Sequence, residues 1–175
     1  MRPTTLAILF ALAACSTEPA PTTSPAAVTD ASSPVPATPT GDDDCNLDTP
    51  LVPGIPGSPG HLIVSPRNPN GDSELAVLMR QFVDDLREVR VLAEAEQAVK
   101  PLYPVHRKMR CAWPTKVEER DAGFDARAQA YLANVRAFDA APGQGTYNAM
   151  IAGCIACHAQ SCGGPLDFIE TMLWR

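Results

Sequence analysis

The sequence predicts an all-α fold: an antiparallel, four-helix-bundle-like domain that follows a disordered, proline-rich tether. Three observations predict this fold. Apolar residues recur at three- and four-residue steps through residues 72–175. No stretch of five or more residues alternates as a half-buried strand would. Prolines are concentrated before the helical region, with six in residues 16–40 and six in residues 41–71.

Residues 1–14 predict an export signal, because Arg2 precedes a short apolar run from Leu6 to Ala14. This run is too short to cross a bilayer as a helix. The stretch that ends in Cys15, "LAAC", resembles the lipobox of bacterial lipoproteins. The resemblance implies that Cys15 is lipidated and begins the mature chain, and that Ser16 after it favours the outer membrane. The alternative is an ordinary secretory signal with an unrelated cysteine.

The net charge of the chain limits the kinds of macromolecule that it is expected to bind. Loss of residues 1–14 would remove Arg2 and leave 13 basic and 20 acidic residues, a net charge of −7. We therefore expect no nucleic acid partner, and redox or other protein partners with a basic docking surface. Export also places the remaining cysteines in an oxidising compartment, where disulfides and thioethers persist.

Residues 15–71 are expected to form a linker. Residues 16–40 lack aromatic side chains and reach at most about 75 Å as polyproline II, which suits a membrane tether. Residues 41–71 mix proline with apolar side chains and predict an irregular segment against the helical domain. The expected anchor is the stretch "HLIV" at residues 61–64, for which a short strand is the alternative.

Residues 72–175 form the predicted helical domain. The first helix is capped by Asp72 or Ser73 and continues to about residue 99, before the prolines at 101 and 104. A short helix is expected over 104–110 and a third over 124–138, closed by "PG" at 142–143. A fourth runs from about 146 to 162, and Pro165 opens a short fifth helix.

The fourth predicted helix carries "CIACH", residues 154–158, which is the C-x-x-C-H pattern of c-type haem attachment. On a helix Cys154 and Cys157 project to one side, so their thiols can bond one haem while His158 offers a ring nitrogen to the iron. About 0.003 matches are expected by chance from this composition. One covalent haem c is therefore the predicted cofactor. A zinc site completed by Cys162, or a redox dithiol, is the alternative.

A haem motif this late, on the last long helix, resembles the class II c-type cytochromes, the cytochrome c-prime group and its low-spin relatives. In that family the start of the first helix covers the distal side of the haem, which implies Met79 as the distal iron ligand. The alternatives are an open or apolar distal site at Leu75 or Leu78, and a different ligand. His106 is the other candidate ligand, although a histidine among basic residues is typical of the surface, and His61 is weaker still.

The remaining cysteines, Cys45, Cys111 and Cys162, permit one disulfide and one free thiol. We predict a bond between Cys111 and Cys162 that pins the chain as it leaves the haem helix. Cys45 is the alternative partner.

Together these features predict a lipid-anchored monohaem electron carrier of the cell envelope, with no enzymatic step. The first alternative is a haem protein with an open iron position that binds NO or CO. The second is a lipoprotein without haem. Candidate partners of the haem propionates are the basic residues Arg67, Arg80 and Lys116, whereas the pair Asp84 and Asp85 predicts an exposed helix face.

Overall fold

The computed structural model describes residues 45–175. The predicted signal at 1–14, the lipidation site Cys15 and the tether at 16–40 lie outside this range. The described residues contain five α-helices and no β-strand, which confirms the all-α class. These helices are α1 (Glu74–Glu94), α2 (Tyr103–His106), α3 (Ala122–Ala140), α4 (Gln144–Ser161) and α5 (Leu166–Glu170), with 3₁₀ turns at Arg107–Arg110 and Val117–Glu119. No helix in this part of the chain is long and apolar enough to cross a membrane.

Helix α1 begins where the sequence predicts, but it ends at Glu94 rather than at about residue 99. The Ser73 hydroxyl accepts a hydrogen bond from the Ala76 amide, so Ser73 is the N-cap. The helix stops at Glu94 because Glu96 adopts a positive φ of 52°. The amides of Glu96 and Gln97 then bond back to the carbonyls of Ala93 and Leu92, the Schellman pattern. The helix therefore stops several residues before the prolines that were expected to end it.

Helices α3 and α4 are joined by only three residues, and they pack closely. The Asp121 carboxylate caps α3 by accepting from the Phe124 amide. On α4, a Cβ atom at Gly153 would lie 3.3 Å from the Tyr131 ring. The glycine thus permits the close approach of the two helices, which the Asn134 amide reinforces by donating to the Ala149 carbonyl.

The core lies between the three long helices and the shorter elements. Phe82, Leu86 and Val89 of α1 are buried, and so are the apolar faces of α3 and α4. The largest side chains with almost no exposed surface include Phe138, Tyr147, Met150, Ile151 and His106. Apolar burial of this kind is the main term that stabilises a small helical domain.

Residues 45–71, here called the amino-terminal segment, lie against the helical domain as expected, although the predicted anchor is wrong. Leu62 and Val64 of "HLIV" are exposed, and Ile63 makes one isolated antiparallel bridge with Asp72 rather than a strand. A disulfide from Cys45 to Cys111 holds the segment instead. The Trp113 indole also donates to the Val52 carbonyl at 2.6 Å.

Candidate functional site

The described residues surround a cavity of about 710 Å³. This volume falls within the roughly 300–1,000 Å³ typical of small-molecule and cofactor sites. Its wall is mostly apolar and comes from α1, α3, α4 and α5, with Phe82, Tyr131, Ile151, Phe168 and Met172 among the contributors. The cavity is therefore large enough for a cofactor and is formed by residues far apart in sequence.

The two cysteines of "CIACH" both line this cavity and are free thiols. They lie three residues apart on α4, so they share one face of the helix. Burial, and to a smaller extent the nearby Cys157, raise the pKa of the Cys154 thiol to about 12. With no cation beside it among the described residues, Cys154 is therefore neutral near pH 7, which disfavours the thiolate needed for thiol exchange.

His158 also lines the cavity, half-buried near the end of α4. Its Nδ1 atom lies 3.1 Å from the Cys162 carbonyl oxygen. Because a carbonyl can only accept, Nδ1 carries the ring proton and Nε2 keeps its lone pair. A histidine whose second nitrogen is held by a backbone carbonyl is the usual arrangement of a metal-ligating imidazole.

Met79 lies on α1 at the same cavity, half-buried, with Leu75 one turn before it. Leu78 is buried and does not line the cavity. Two further methionines, Met109 and Met172, line the cavity from buried positions. The sequence did not predict that Met109 is buried at the cavity. Met109 follows basic residues in a short element, which has too few residues to show the apolar periodicity of a buried face.

His106 is neither a surface residue nor an available ligand, so the surface interpretation is wrong. Its side chain has no exposed area. Its Nδ1 lies 2.7 Å from the Tyr131 hydroxyl and its Nε2 lies 3.3 Å from an Asp85 carboxylate oxygen. Asp85 is correspondingly half-buried, whereas Asp84 is exposed, so the paired acids do not form one solvated face. His61 is exposed.

The basic candidates for the propionates separate in the structure. Arg80, half-buried, and Arg67, which is exposed, both line the cavity, whereas the exposed Lys116 does not. Arg80 already forms an ion pair with the buried Asp72, whose pKa that guanidinium lowers. Arg67 is therefore the candidate with fewer competing partners on this side of the domain.

The predicted disulfide between Cys111 and Cys162 is wrong. Cys111 is bonded to Cys45, with Cα atoms 5.2 Å apart, and Cys162 is an exposed free thiol. The physical reason is that the amino-terminal segment folds back onto the Cys111 turn, a contact between residues 66 apart that local pattern does not encode. Cys162 holds the end of α4 through its backbone, which pairs with His158.

Within residues 45–175, no three His, Cys, Asp or Glu side chains are grouped so as to hold a metal ion. Comparison of the chain with protein families, curated proteins and solved structures found no significant match.

Proposed function

We propose that this protein is a monohaem c-type cytochrome that carries single electrons in the cell envelope. The observation that carries the proposal is the convergence of Cys154, Cys157 and His158 of one C-x-x-C-H motif on a cavity of cofactor size. The proposal includes the bundle arrangement expected of the class II group. The short connection that makes α3 and α4 antiparallel neighbours supports that arrangement.

The residues at the cavity fit a haem. Its walls are largely apolar, as a porphyrin requires, and the two motif cysteines that line it are outside any disulfide and could form thioether bonds. A thioether carries no charge, so the apolar surroundings that oppose a Cys154 thiolate do not oppose the attached cofactor. When bound, the haem supplies one-electron redox chemistry.

The chain's own residues orient and insulate such a group. Cys154 and Cys157 would hold it covalently, and His158, fixed through Nδ1, would present Nε2 to the iron. Met79, which lines the cavity from α1 near Leu75, would supply a second iron ligand. A His and Met pair raises the potential, which suits an electron carrier.

Lipidation at Cys15, a tether through residues 16–40 and outer-membrane attachment belong to the same proposal. They rest on the resemblance to a lipobox and on the proline-rich composition. The net acidic charge supports electron exchange with partners that dock through a basic surface.

Co-expression of the exported chain with a haem-maturation system tests the cofactor. We expect the intact mass of the purified protein to increase by one haem that survives denaturation and acid extraction. Replacement of both motif cysteines, Cys154→Ala with Cys157→Ala, should abolish that attachment. Cys162→Ala is the matched control, since it removes a nearby free thiol outside the motif and should leave the haem in place.

Absence of covalent haem in the natural sequence, under conditions that mature a known cytochrome in parallel, would contradict the proposal. Attachment that depends on Cys162 would contradict the assignment of the motif.

A further inference from the structure

Residues 111–115, here called the strap, pair with the first turn of α1. The Leu75 amide donates to the Trp113 carbonyl at 2.9 Å, and the Trp113 amide donates to a Glu74 carboxylate oxygen at 2.9 Å. The first amides of a helix have no partner within the helix, so the strap supplies one that α1 itself cannot. A charged acceptor makes the hydrogen bond from Trp113 to Glu74 one of the stronger kind. The start of α1 is therefore fastened to the strap both as donor and as acceptor.

The amino-terminal segment contacts the same turn of α1. The Glu74 amide donates to the Gly57 carbonyl at 3.2 Å. Gly57 has a φ of 92°, and a Cβ atom there would lie 2.3 Å from the Glu74 nitrogen, so only glycine fits at this point. The segment also reaches the strap, through the disulfide from Cys45 to Cys111 and the hydrogen bond that the Trp113 indole donates. The segment, the strap and the start of α1 are thus joined to one another.

These joined elements form part of the cavity wall. The residues that line the cavity are Ala112, Pro114 and Thr115 of the strap and Leu75, Ala76 and Met79 of α1. Glu74 and Trp113 do not line it, so they act on the cavity only through the backbone that they hold. Because Met79 lies one turn beyond Leu75 on the same helix, the placement of the first turn determines where the Met79 side chain lies.

We propose that the hydrogen bond between Glu74 and Trp113, supported by the close approach of Gly57, positions the start of α1 so that Met79 stays bound to the haem iron and external ligands do not displace it. The inference rests on the proposed function, because it concerns the haem and the distal ligand assigned there. Glu74, Trp113 and Gly57 act through the backbone of α1 and the strap, so all three are positioning residues.

Substitutions of Glu74 in the haem-loaded, full-length protein test the hydrogen bond. Glu74→Ala removes the acceptor of the Trp113 amide. We expect this variant to weaken the optical band of a methionine bonded to ferric iron and to raise the affinity of the ferric protein for imidazole, which competes with Met79, by about tenfold. Glu74→Gln keeps an oxygen that can accept the same hydrogen bond and should behave as the natural sequence does. Glu88→Ala, at an exposed position on the same helix, should also leave the affinity unchanged.

Two results with these variants would overturn the proposal. The first is an unchanged imidazole affinity in Glu74→Ala. The second is a Glu74→Gln variant that matches Glu74→Ala, since the charge rather than the hydrogen bond would then matter.

Val89→Ala controls for a general loss of stability. Val89 is buried on α1 and does not line the cavity, so its truncation destabilises the core away from the iron. We expect its imidazole affinity to stay at the natural value. An equal rise in Val89→Ala and Glu74→Ala would show that any destabilised variant behaves in this way, which also contradicts the proposal.

Two glycines of the amino-terminal segment test the support from Gly57. Gly57 and Gly60 both have a positive φ, of 92° and 79°, so alanine is strained at either position. At Gly57 the new Cβ atom would also meet Glu74, whereas at Gly60 it would meet no atom within 4 Å. We therefore expect Gly57→Ala, and not Gly60→Ala, to raise the imidazole affinity. Equal affinities in the two variants would overturn the role of Gly57.

Hydrogen exchange gives a readout that does not depend on the iron ligand. In the reduced, diamagnetic protein, Glu74→Ala should make the Trp113 amide exchange about tenfold faster, because that amide loses its acceptor. Glu88→Ala should leave the exchange unchanged, and equal rates in the two variants would contradict the proposal.

Failure of this inference differs from failure of the proposed function. If the natural sequence attaches no haem, or attaches one without a methionine bond, the proposed function fails and this inference fails with it. If the haem and the methionine bond are present and Glu74→Ala changes neither imidazole affinity nor amide exchange, only this inference fails.

Discussion

The imidazole of His106 lies flat on the ring of Phe82, with ring centroids 3.8 Å apart and planes 17° from parallel. The Tyr131 ring lies 5.9 Å from the imidazole and 6.2 Å from the Phe82 ring, and its hydroxyl lies 2.7 Å from His106 Nδ1. A titratable ring is thus held in the core, with Phe82 on its face and the Tyr131 hydroxyl at its edge. The cost of charging it there is a desolvation effect, and it makes the stability of the domain depend on pH.

We predict that this histidine destabilises the fold as the pH falls. The pKa of His106 is about 3 in the folded protein, against an ordinary value of 6.5. In the unfolded chain His106 therefore binds a proton below about pH 6.5, whereas in the folded chain it binds that proton only below about pH 3. The free energy of unfolding should fall by up to about 1.4 kcal/mol per pH unit through that window.

Urea unfolding at pH 7.5 and pH 5.0 measures this change in the free energy of unfolding. Both pH values lie above the range in which most carboxylates titrate, so carboxylates contribute little to the difference. His106→Phe should remove this part of the pH dependence, while His61→Phe, at an exposed position, should retain it. The same pH dependence in the natural protein and in His106→Phe would show that another group is responsible.

The disulfide between Cys45 and Cys111 should stabilise the domain by attaching the amino-terminal segment. Replacement of both cysteines by alanine is expected to lower the free energy of unfolding by about 2 to 4 kcal/mol, since the bond closes a long loop. Cys162→Ala should change stability little, because the contacts of Cys162 with His158 are made by its backbone.

Peptide mapping after alkylation of the unreduced, denatured protein checks the pairing directly. We expect alkylated Cys162 and a linked pair of peptides that contain Cys45 and Cys111. A pair of linked peptides that contain Cys162 and Cys111 would contradict the Cys45–Cys111 disulfide and support the pairing predicted from the sequence.

The distal ligand of the proposed haem can be assigned by comparing methionines that share the cavity. Met79→Leu should convert a low-spin spectrum to high-spin, because a similar volume is kept while the thioether is lost. Met109→Leu is the matched control, since Met109 lines the same cavity from a buried position. A spin change in Met109→Leu and none in Met79→Leu would reassign the ligand.

The sequence predicts those features that depend on local pattern. Helical periodicity, an N-cap at Asp72 or Ser73 and the "PG" after α3 located the main elements, and the structure assigns the cap to Ser73. The end of α1 was missed because a glutamate, Glu96, takes the positive φ that glycine usually signals.

Features of the site that depend on contacts between distant parts of the chain could not be predicted from local sequence pattern. The burial of His106 comes from Asp85 on α1 and Tyr131 on α3, which are 21 and 25 residues away. The disulfide likewise depends on a fold-back of the amino-terminal segment, and spacing alone left its partner open. In contrast, the motif cysteines and His158 are adjacent in sequence, so a single helix is enough to bring them together at the cavity.

Optical spectra of the purified protein, recorded oxidised, reduced and reduced under carbon monoxide, test the proposed electron carrier most directly. We expect covalent haem with low-spin bands in both oxidation states and no response to carbon monoxide, as for an iron ligated by His158 and Met79. A high-spin spectrum that changes at once with carbon monoxide would contradict the carrier and favour a gas-binding haem protein.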